Sequence, residues 1–346
     1  MEREVRYATA EDGVRIAYCV EGKGPPLLFV HYVYSFSMAH FVPKFDDTIR
    51  RIGRGRRLIR YDQRGTGLSQ REVDDLSPAA AIWDMEAVVR DLSLERFAIM
   101  GVTLGGLRAI EYTARHPDQV VALLLFNAFP RLLDVFPREM LQALAQLCRA
   151  NWQLAARTLT DAGARGEDER EGLRWADVLQ NSITGETMAR LTEAQMEFDV
   201  SHLLGRIECP TLISQSREDP QYRFALGEGL AAAIPTAELA PLDGDVGRPV
   251  FSSQSVIDNM EAFLRRSMPA AGEEPGATRR TGSLSVREIE ILRLIAAGQT
   301  SKEISRQLSL SIRTVGRHIT NIYDKIGARG RADATAYAHR HGLTEE

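Results

Sequence analysis

Gly101-Val102-Thr103-Leu104-Gly105 follows the apolar run 96–100 and leads into Gly106-Leu-Arg-Ala-Ile-Glu-Tyr-Thr-Ala114, a helical pattern. A strand, a tight glycine-flanked turn and a helix make a nucleophile elbow, whose signature is G-x-S-x-G. Here Thr103 holds the nucleophile position. The glycines let strand and helix pack closely while the central residue takes a strained backbone conformation. A β-branched residue is costly there, because positive φ crowds its Cβ. The elbow keeps its shape without its serine, so any chemistry depends on partners elsewhere in the chain.

The 346 residues suffice for two domains, one of them large. With 44% apolar and 26% charged residues, the composition is that of a soluble globular protein. The net charge of -4 is unevenly spread: residues 283–346 carry 10 Lys/Arg against 7 Asp/Glu, which leaves -7 for residues 1–282. A basic tail on an acidic body fits a small DNA-facing segment. Cys19, Cys148 and Cys209 are too few and too scattered for a disulfide framework or a metal knuckle. Reduced cysteines and no cofactor are expected. No apolar run approaches the roughly 18 residues a membrane helix needs, and no signal peptide opens the sequence. The expectation is a cytoplasmic protein with no membrane partner.

Upstream of the elbow, residues 5–9 and 14–20 flank the turn Glu11-Asp12-Gly13 and read as a hairpin. Residues 26–31 and 57–61 read as buried strands, and after the second comes Asp62-Gln-Arg64-Gly65-Thr-Gly67-Leu-Ser69. Its two glycines allow tight turns and Arg64 can pair with a carboxylate. A helix over 79–94 precedes the elbow strand, and the next parallel strand is 120–126. This alternation predicts the α/β class with a doubly wound sheet. The D-x-R-G-x-G-x-S loop resembles that of α/β-hydrolase-fold proteins such as the epoxide hydrolases and haloperoxidases. The resemblance covers about residues 5–267. Residues 131–205 read as helices without strands, including 138–157 and 187–198, and in this fold such an insertion is a cap over the pocket. The sheet resumes at 209–219, followed by a helix near 222–234, a strand at 237–242 and a helix at 256–266.

The resemblance also says which catalytic parts to look for. Acyl transfer needs a nucleophile, a base, a group orienting that base, and oxyanion donors. Asp219, in Arg-Glu-Asp-Pro after a strand, matches the family's acid. The family's base sits in a G-x-x-H-x-P turn, and the matching residues here are Gly244-Asp-Val-Gly247-Arg-Pro249. Glycine replaces histidine. His31 begins what would be the H-G oxyanion turn, but Tyr32 replaces its glycine. All seven histidines are accounted for: besides His31 and His40, His116 follows the elbow helix, His202 ends the cap, and His318, His339 and His341 lie far downstream. Only His31 or His202 could in principle substitute. Structural or surface roles are expected for His31 and His202. Without a base, Thr103 has no route to activation at neutral pH. What remains is a capped, preformed pocket near Tyr32, Val33, Thr103, Leu104 and Asp219, suited to a small-molecule effector.

Residues 268–282 lack periodicity and are rich in Pro and Gly, so they read as a linker. Beyond them, Ser285-Val-Arg-Glu288 and Thr300-Ser-Lys-Glu303 are both S/T-x-x-E capping boxes. The first opens a helix expected to bury Val286, Ile289, Leu292 and Ile295 and to stop at Gly298. The second helix carries Ile304 and Leu308. A third starts after Ser311, with Val315, Ile319, Ile322 and Ile326 on one face and Arg313, Gly316, Arg317 and Thr320 on the other. Two short helices with a tight turn, the second basic on its open face, describe a helix-turn-helix. The run from Leu284 to Ala328 resembles the LuxR-type DNA-binding domain over about residues 283–343. That resemblance implies double-stranded DNA as partner and Lys302, Arg313, Thr314, Arg317, His318 and Thr320 as contacts. The family's lysine in T-V-K-x-H is Gly316 here, which leaves Arg317 as the best base reader, with Arg313, Lys302 and His318 on phosphates. In the family the last helix, here 332–341, pairs domains into a dimer, so a homodimer is expected.

The sequence therefore predicts a regulator and not an enzyme. Residues 1–267 form an α/β-hydrolase-like sensing domain with its cap at about 131–205, residues 268–282 a linker, and residues 283–346 a small all-α helix-turn-helix domain. Two rival readings stay open: a hydrolase whose Thr103 still works, with autoregulatory DNA binding, and a scaffold that only dimerises the DNA-binding domains.

Overall fold

The computed structural model describes residues 4–31, 49–163, 169–242, 254–268, 286–308, 312–326, 328–340 and 343. The expected linker and the 244–249 turn lie outside these, apart from Met268. The chain divides into two compact units, Met1–Ala271 and Gly272–Glu346.

The first unit is built on an eight-stranded sheet. In chain order it runs β1 (Val5–Thr9), β2 (Arg15–Glu21), β3 (Pro26–Val30), β4 (Arg57–Tyr61), α1 (Pro78–Asp91), β5 (Phe97–Val102), α2 (Leu104–Arg115) and β6 (Val120–Phe126). Four helices follow: α3 (Arg138–Ala150), α4 (Trp152–Gly163), α5 (Glu169–Ser182) and α6 (Gly185–Met196). The sheet then resumes with β7 (Thr211–Ser216), α7 (Phe224–Ala233), β8 (Ala237–Leu242) and α8 (Gln254–Ser267). The spatial order is β1-β2-β4-β3-β5-β6-β7-β8. Pairing is antiparallel at β1/β2 and β2/β4 and parallel from β4 onward. The hairpin turns at Gly13, whose φ of 85° suits a residue without Cβ.

Alternate strand residues bury into two cores. Leu28, Val30, Ile59, Ile99 and Leu125 pack beneath α1 and α2, whereas Leu27, Phe29, Met100, Leu124 and Phe126 pack against Ile257, Met260 and Phe263 of α8. Helices on both faces explain why β5 and β6 read as continuous apolar runs and not as alternating ones. The α/β class and doubly wound sheet expected from the sequence are found.

The helical excursion between β6 and β7, the expected cap, departs from expectation in detail. Residues 138–157 are two helices, because the chain turns at Asn151 and its Oδ1 accepts the Leu154 N–H at 3.0 Å, starting a new helix. Helix α5 was not foreseen. Among its described residues it buries Trp175, Ala176, Val178, Leu179 and Ser182 beneath a charged exterior. The roots of this excursion meet: Arg131 bridges Asp199, and the Val200 N–H donates to the Pro130 carbonyl at 3.1 Å.

The second unit holds α9 (Val286–Ala296), α10 (Ser301–Gln307), α11 (Ile312–Ile326) and α12 (Arg331–Arg340). Its core comprises Ile291, Leu292, Ile295, Ile304, Val315, Ile322, Ala334 and Ala338. Gly298, with φ 85°, turns the chain after α9 as expected. One expectation fails. Ile289 is only half-buried, and Ile291 is fully buried in its place. The inward stripe is Glu288, Ile291, Leu292 and Ile295, and Glu288 is tolerated there because its Oε2 accepts from Lys325 Nζ at 2.7 Å. Among the described residues no helix is long and apolar enough to cross a membrane.

Candidate functional site

Strand β5 runs into α2 through Thr103, which sits at φ 48°, ψ -118°. That backbone is one L-residues rarely adopt, and it typically costs about 1–3 kcal/mol for a non-glycine residue. Close approach of helix to sheet enforces it. A Cβ on Gly101 would lie 2.7 Å from Ala109 Cβ, one on Gly105 would lie 2.2 Å from the Val30 oxygen, and one on Gly106 would lie 2.7 Å from Ala128 Cβ. The three glycines let α2 press directly on β3 and β5, and the connecting residue must turn sharply. As first residue of α2, Leu104 has no intrahelical acceptor for its N–H, the usual position of an oxyanion donor. Its side chain is buried in the core, so that N–H is what Leu104 offers to a pocket.

Among the described residues, no side chain hydrogen-bonds to the elbow hydroxyl, and Thr103 Oγ1 is buried without a hydrogen-bond partner. His31 Nε2 lies 2.9 Å from the Tyr61 carbonyl, inside the core. His116 sits at the far end of α2, 2.9 Å from Glu86 and with its ring 4.4 Å from that of Tyr112. His202 is exposed on the short helical turn Ser201–Arg206. Asp219 is half-buried after β7, and its Oδ1 accepts the Gln221 and Tyr222 N–H groups at 2.8 and 3.0 Å, which shapes its own loop. Tyr32, Val33 and Gly247 lie outside the described residues. No described group of His, Cys, Asp and Glu could hold a metal ion.

The second unit presents a different kind of surface. Thr300 and Glu303 close a reciprocal capping box: the Glu303 N–H donates to Thr300 Oγ1 at 3.3 Å, and the Thr300 N–H donates to Glu303 Oε2 at 2.7 Å. Lys302 is exposed on the first turn of α10. On α11, Gly316 and Thr320 are exposed and His318 is half-buried, opposite the buried Val315 and Ile322. A Cβ on Gly316 would meet nothing within 4 Å, so no packing constraint requires glycine there. Arg313, Thr314 and Arg317 lie on α11, with side chains outside the described residues.

Residues 44–240, more than half of the chain, match the serine aminopeptidase S33 family. The chain belongs to that family. Residues 282–338 match the bacterial regulatory proteins of the luxR family, so the S33 domain is joined to a LuxR-type DNA-binding domain and the chain is a transcriptional regulator. The pyrrolizixenacetamide deacetylase of Xenorhabdus hominickii is 26% identical over 207 residues, covering 58% of this chain and 75% of that protein. The transcriptional regulatory protein LiaR of Bacillus subtilis is 52% identical over 61 residues, covering 18% of this chain and 29% of LiaR. An esterase from Exiguobacterium antarcticum shares the fold of the S33 domain: TM-score 0.66, 18% identity, 76% of this chain and all of the esterase.

Within the S33 domain, the loop after β4 is a structural clip. Arg64 Nε donates to Asp84 Oδ1 at 2.8 Å and the Arg64 N–H to Asp84 Oδ2 at 2.9 Å. Its Nη1 and Nη2 reach the two oxygens of Asp12 at 2.5 and 3.1 Å, tying hairpin turn, loop and α1 together. Burial pushes Asp84 up to about 6, although the Arg64 charge pulls it down. Arg64 was legible as a carboxylate partner, whereas Asp84, Gln63 and Arg108 were missed. The available signal for Arg108 was a lone cation inside Gly105-Gly106-Leu107-Arg108-Ala109-Ile110, a segment buried throughout.

Proposed function

We propose that the S33 domain binds a small molecule without turning it over and that the LuxR-type domain binds double-stranded DNA as a homodimer, with effector occupancy adjusting DNA binding. The observation carrying this reading is the buried Oγ1 of Thr103, without a hydrogen-bond partner among the described residues, in a sequence whose residue matching the family's base is Gly247. A hydroxyl with no base is a poor nucleophile. The elbow itself favours a second reading, residual hydrolysis, since φ 48° at Thr103 and the Leu104 N–H are both retained. The two are separated by turnover of p-nitrophenyl acetate. The expected result is no hydrolysis above background and no change in Thr103→Ala. Turnover that disappears in Thr103→Ala would establish the second reading.

On the DNA side, Arg317 is assigned to base reading and Lys302 to phosphate. Arg317→Ala is expected to cost about 1–3 kcal/mol on the specific site and to relax sequence preference. Lys302→Ala is expected to weaken all sequences alike and to reduce the salt slope by about one unit. Competition binding against random DNA checks both, and equal loss on specific and random DNA in Arg317→Ala would remove it from base readout.

A further inference from the structure

Residues 48–61, which include Arg50, Arg51, Arg54, Arg56, Arg57 and Arg60, hold six arginines and no carboxylate. Their setting is acidic, since residues 1–282 carry a net charge of -7. The cluster is a local reversal of sign.

The fold gathers these cations at one end of the sheet. Strands β3 and β4 start side by side in parallel register, at Pro26 and Arg57, so the loops before them meet at the end opposite the elbow. The two loops touch closely: a Cβ on Gly22 would lie 2.4 Å from the Arg56 oxygen, and one on Gly24 2.3 Å from the Gly55 oxygen. Arg56 Nη1 donates to the Ile52 and Arg54 carbonyls, both at 3.2 Å, which holds the turn. Helix α8 lies alongside. Arg51 Nη2 donates to Gln254 Oε1 at 2.5 Å at its start, and Arg56 is within electrostatic reach of Glu261 and Arg265 near its end. Some of the charge is offset, because Glu21 pairs with Arg60 at 2.6 Å and with Arg50 at 3.7 Å. Lys23, Arg54 and Arg265 are exposed and form no ion pair among the described residues.

We infer that this arginine-rich end of the S33 domain is a second DNA surface, which takes the phosphate backbone beside the sequence bound by the LuxR-type domain. Helix α8 is where the chain leaves for that domain, and its last turn, with Arg265, borders the patch. Residues 268–285 span at most about 65 Å when fully extended, so a chain held on DNA keeps this end within about two helical turns of its site. Such a tether sets a local DNA concentration on the order of millimolar, where a few phosphate contacts count. Phosphate contacts need charge and reach and no base-specific geometry, which suits exposed cations on an otherwise acidic body. The elbow lies at the other end of the sheet, so a molecule bound there and DNA do not compete for one surface. The inference rests on DNA binding by the LuxR-type domain and is independent of whether Thr103 is active.

The test is titration of a random-sequence DNA duplex with the full chain between about 50 and 200 mM potassium chloride. Lys23→Gln/Arg54→Gln/Arg265→Gln is compared with Arg157→Gln/Arg174→Gln/Arg206→Gln, an equal charge change at exposed arginines elsewhere on the same domain. The patch variant is expected to lower the slope of log K against log salt by about two to three units, and the affinity at about 100 mM by roughly tenfold or more. The control should keep the wild-type slope. Equal slopes in patch variant and wild type overturn the inference and make the arginines an ordinary solvated face. An equal loss in the control also overturns it, as an effect of net charge alone. So do phosphatidylglycerol vesicles that bind wild type and not the patch variant while DNA slopes stay unchanged, which would mean a lipid surface. Lys302→Ala reports on the other domain: it should lose about one unit in every background, and its failure to do so faults the DNA-binding assignment and not the patch.

Discussion

Gly105→Ala is expected to destabilise the S33 domain by about 3 kcal/mol or more, enough to leave much of it unfolded at 37 °C. The added Cβ would stand 2.2 Å from the Val30 oxygen, 2.8 Å from the Val30 carbon and 2.9 Å from the His31 oxygen. These are backbone atoms at the end of β3, which is hydrogen-bonded to both β4 and β5 in the middle of the sheet. Nothing in that group can swing aside as a flexible side chain would. Relief requires α2 to lift, and lifting α2 unpacks Leu107 and Ile110 from the core and reopens the turn at Thr103. Gly316→Ala is the control. It faces open space on α11 and should stabilise the DNA-binding domain by up to about 1 kcal/mol, the ordinary helix-propensity difference. Urea unfolding followed separately for the two domains measures both. An unchanged S33 midpoint in Gly105→Ala would mean that α2 does not depend on this close approach.

These glycines also show what a sequence discloses. Gly101 and Gly105 could be read because tight strand–helix packing admits no substitute, so the constraint is written in residue identity. The capping box at Thr300 and Glu303 was legible for the same reason: two side chains satisfy two backbone donors at a fixed spacing. Asn151 carried a comparable signal, a helix-starting side chain inside an apolar periodicity, and reading the periodicity alone merged α3 with α4. Helix α5 hides because its apolar stripe is short and set among charges, a pattern weaker than that of a helix facing a wide core. Ile289 and Ile291 exchange places because the stripe includes Glu288, and the Lys325 contact, 37 residues away, helps make that carboxylate tolerable inside. Of the site, Thr103, Asp219 and their loops were visible as local motifs. Arg108, Gln63 and Asp84 depend on long-range juxtaposition, which no local spacing encodes.

Removing Asp84 is expected to have the other large effect. Asp84→Ala should cost the S33 domain about 3–5 kcal/mol, the usual consequence of leaving a buried charge without its partner. Arg64, 1% exposed, would keep Asp12, which is partly open to water, as its ion-pair partner and the Asp75 carbonyl as an acceptor. Asp84→Asn carries a sharper signature, because it preserves shape while removing titration. In the folded chain Asp84 is pushed up to about 6 by burial, against an ordinary value near 4, so between these limits the folded state holds a proton that the unfolded state has released. Its contribution to stability is therefore fully present below about pH 4 and is lost as pH rises through about 6. Wild type should lose on the order of 2 kcal/mol relative to Asp84→Asn between pH 4 and pH 7, with no further divergence above. Asp12 acts in the opposite sense: against the push of burial, hydrogen bonds from Arg64 and the Val14 N–H hold it below the usual carboxylate range. Its contribution fades only as pH falls through that lowered value, so the two carboxylates of one clip occupy separate pH windows. Unfolding midpoints at pH 4, 5, 6 and 7 for wild type and Asp84→Asn test this, and parallel profiles would show that the Arg64 charge fully offsets burial at Asp84.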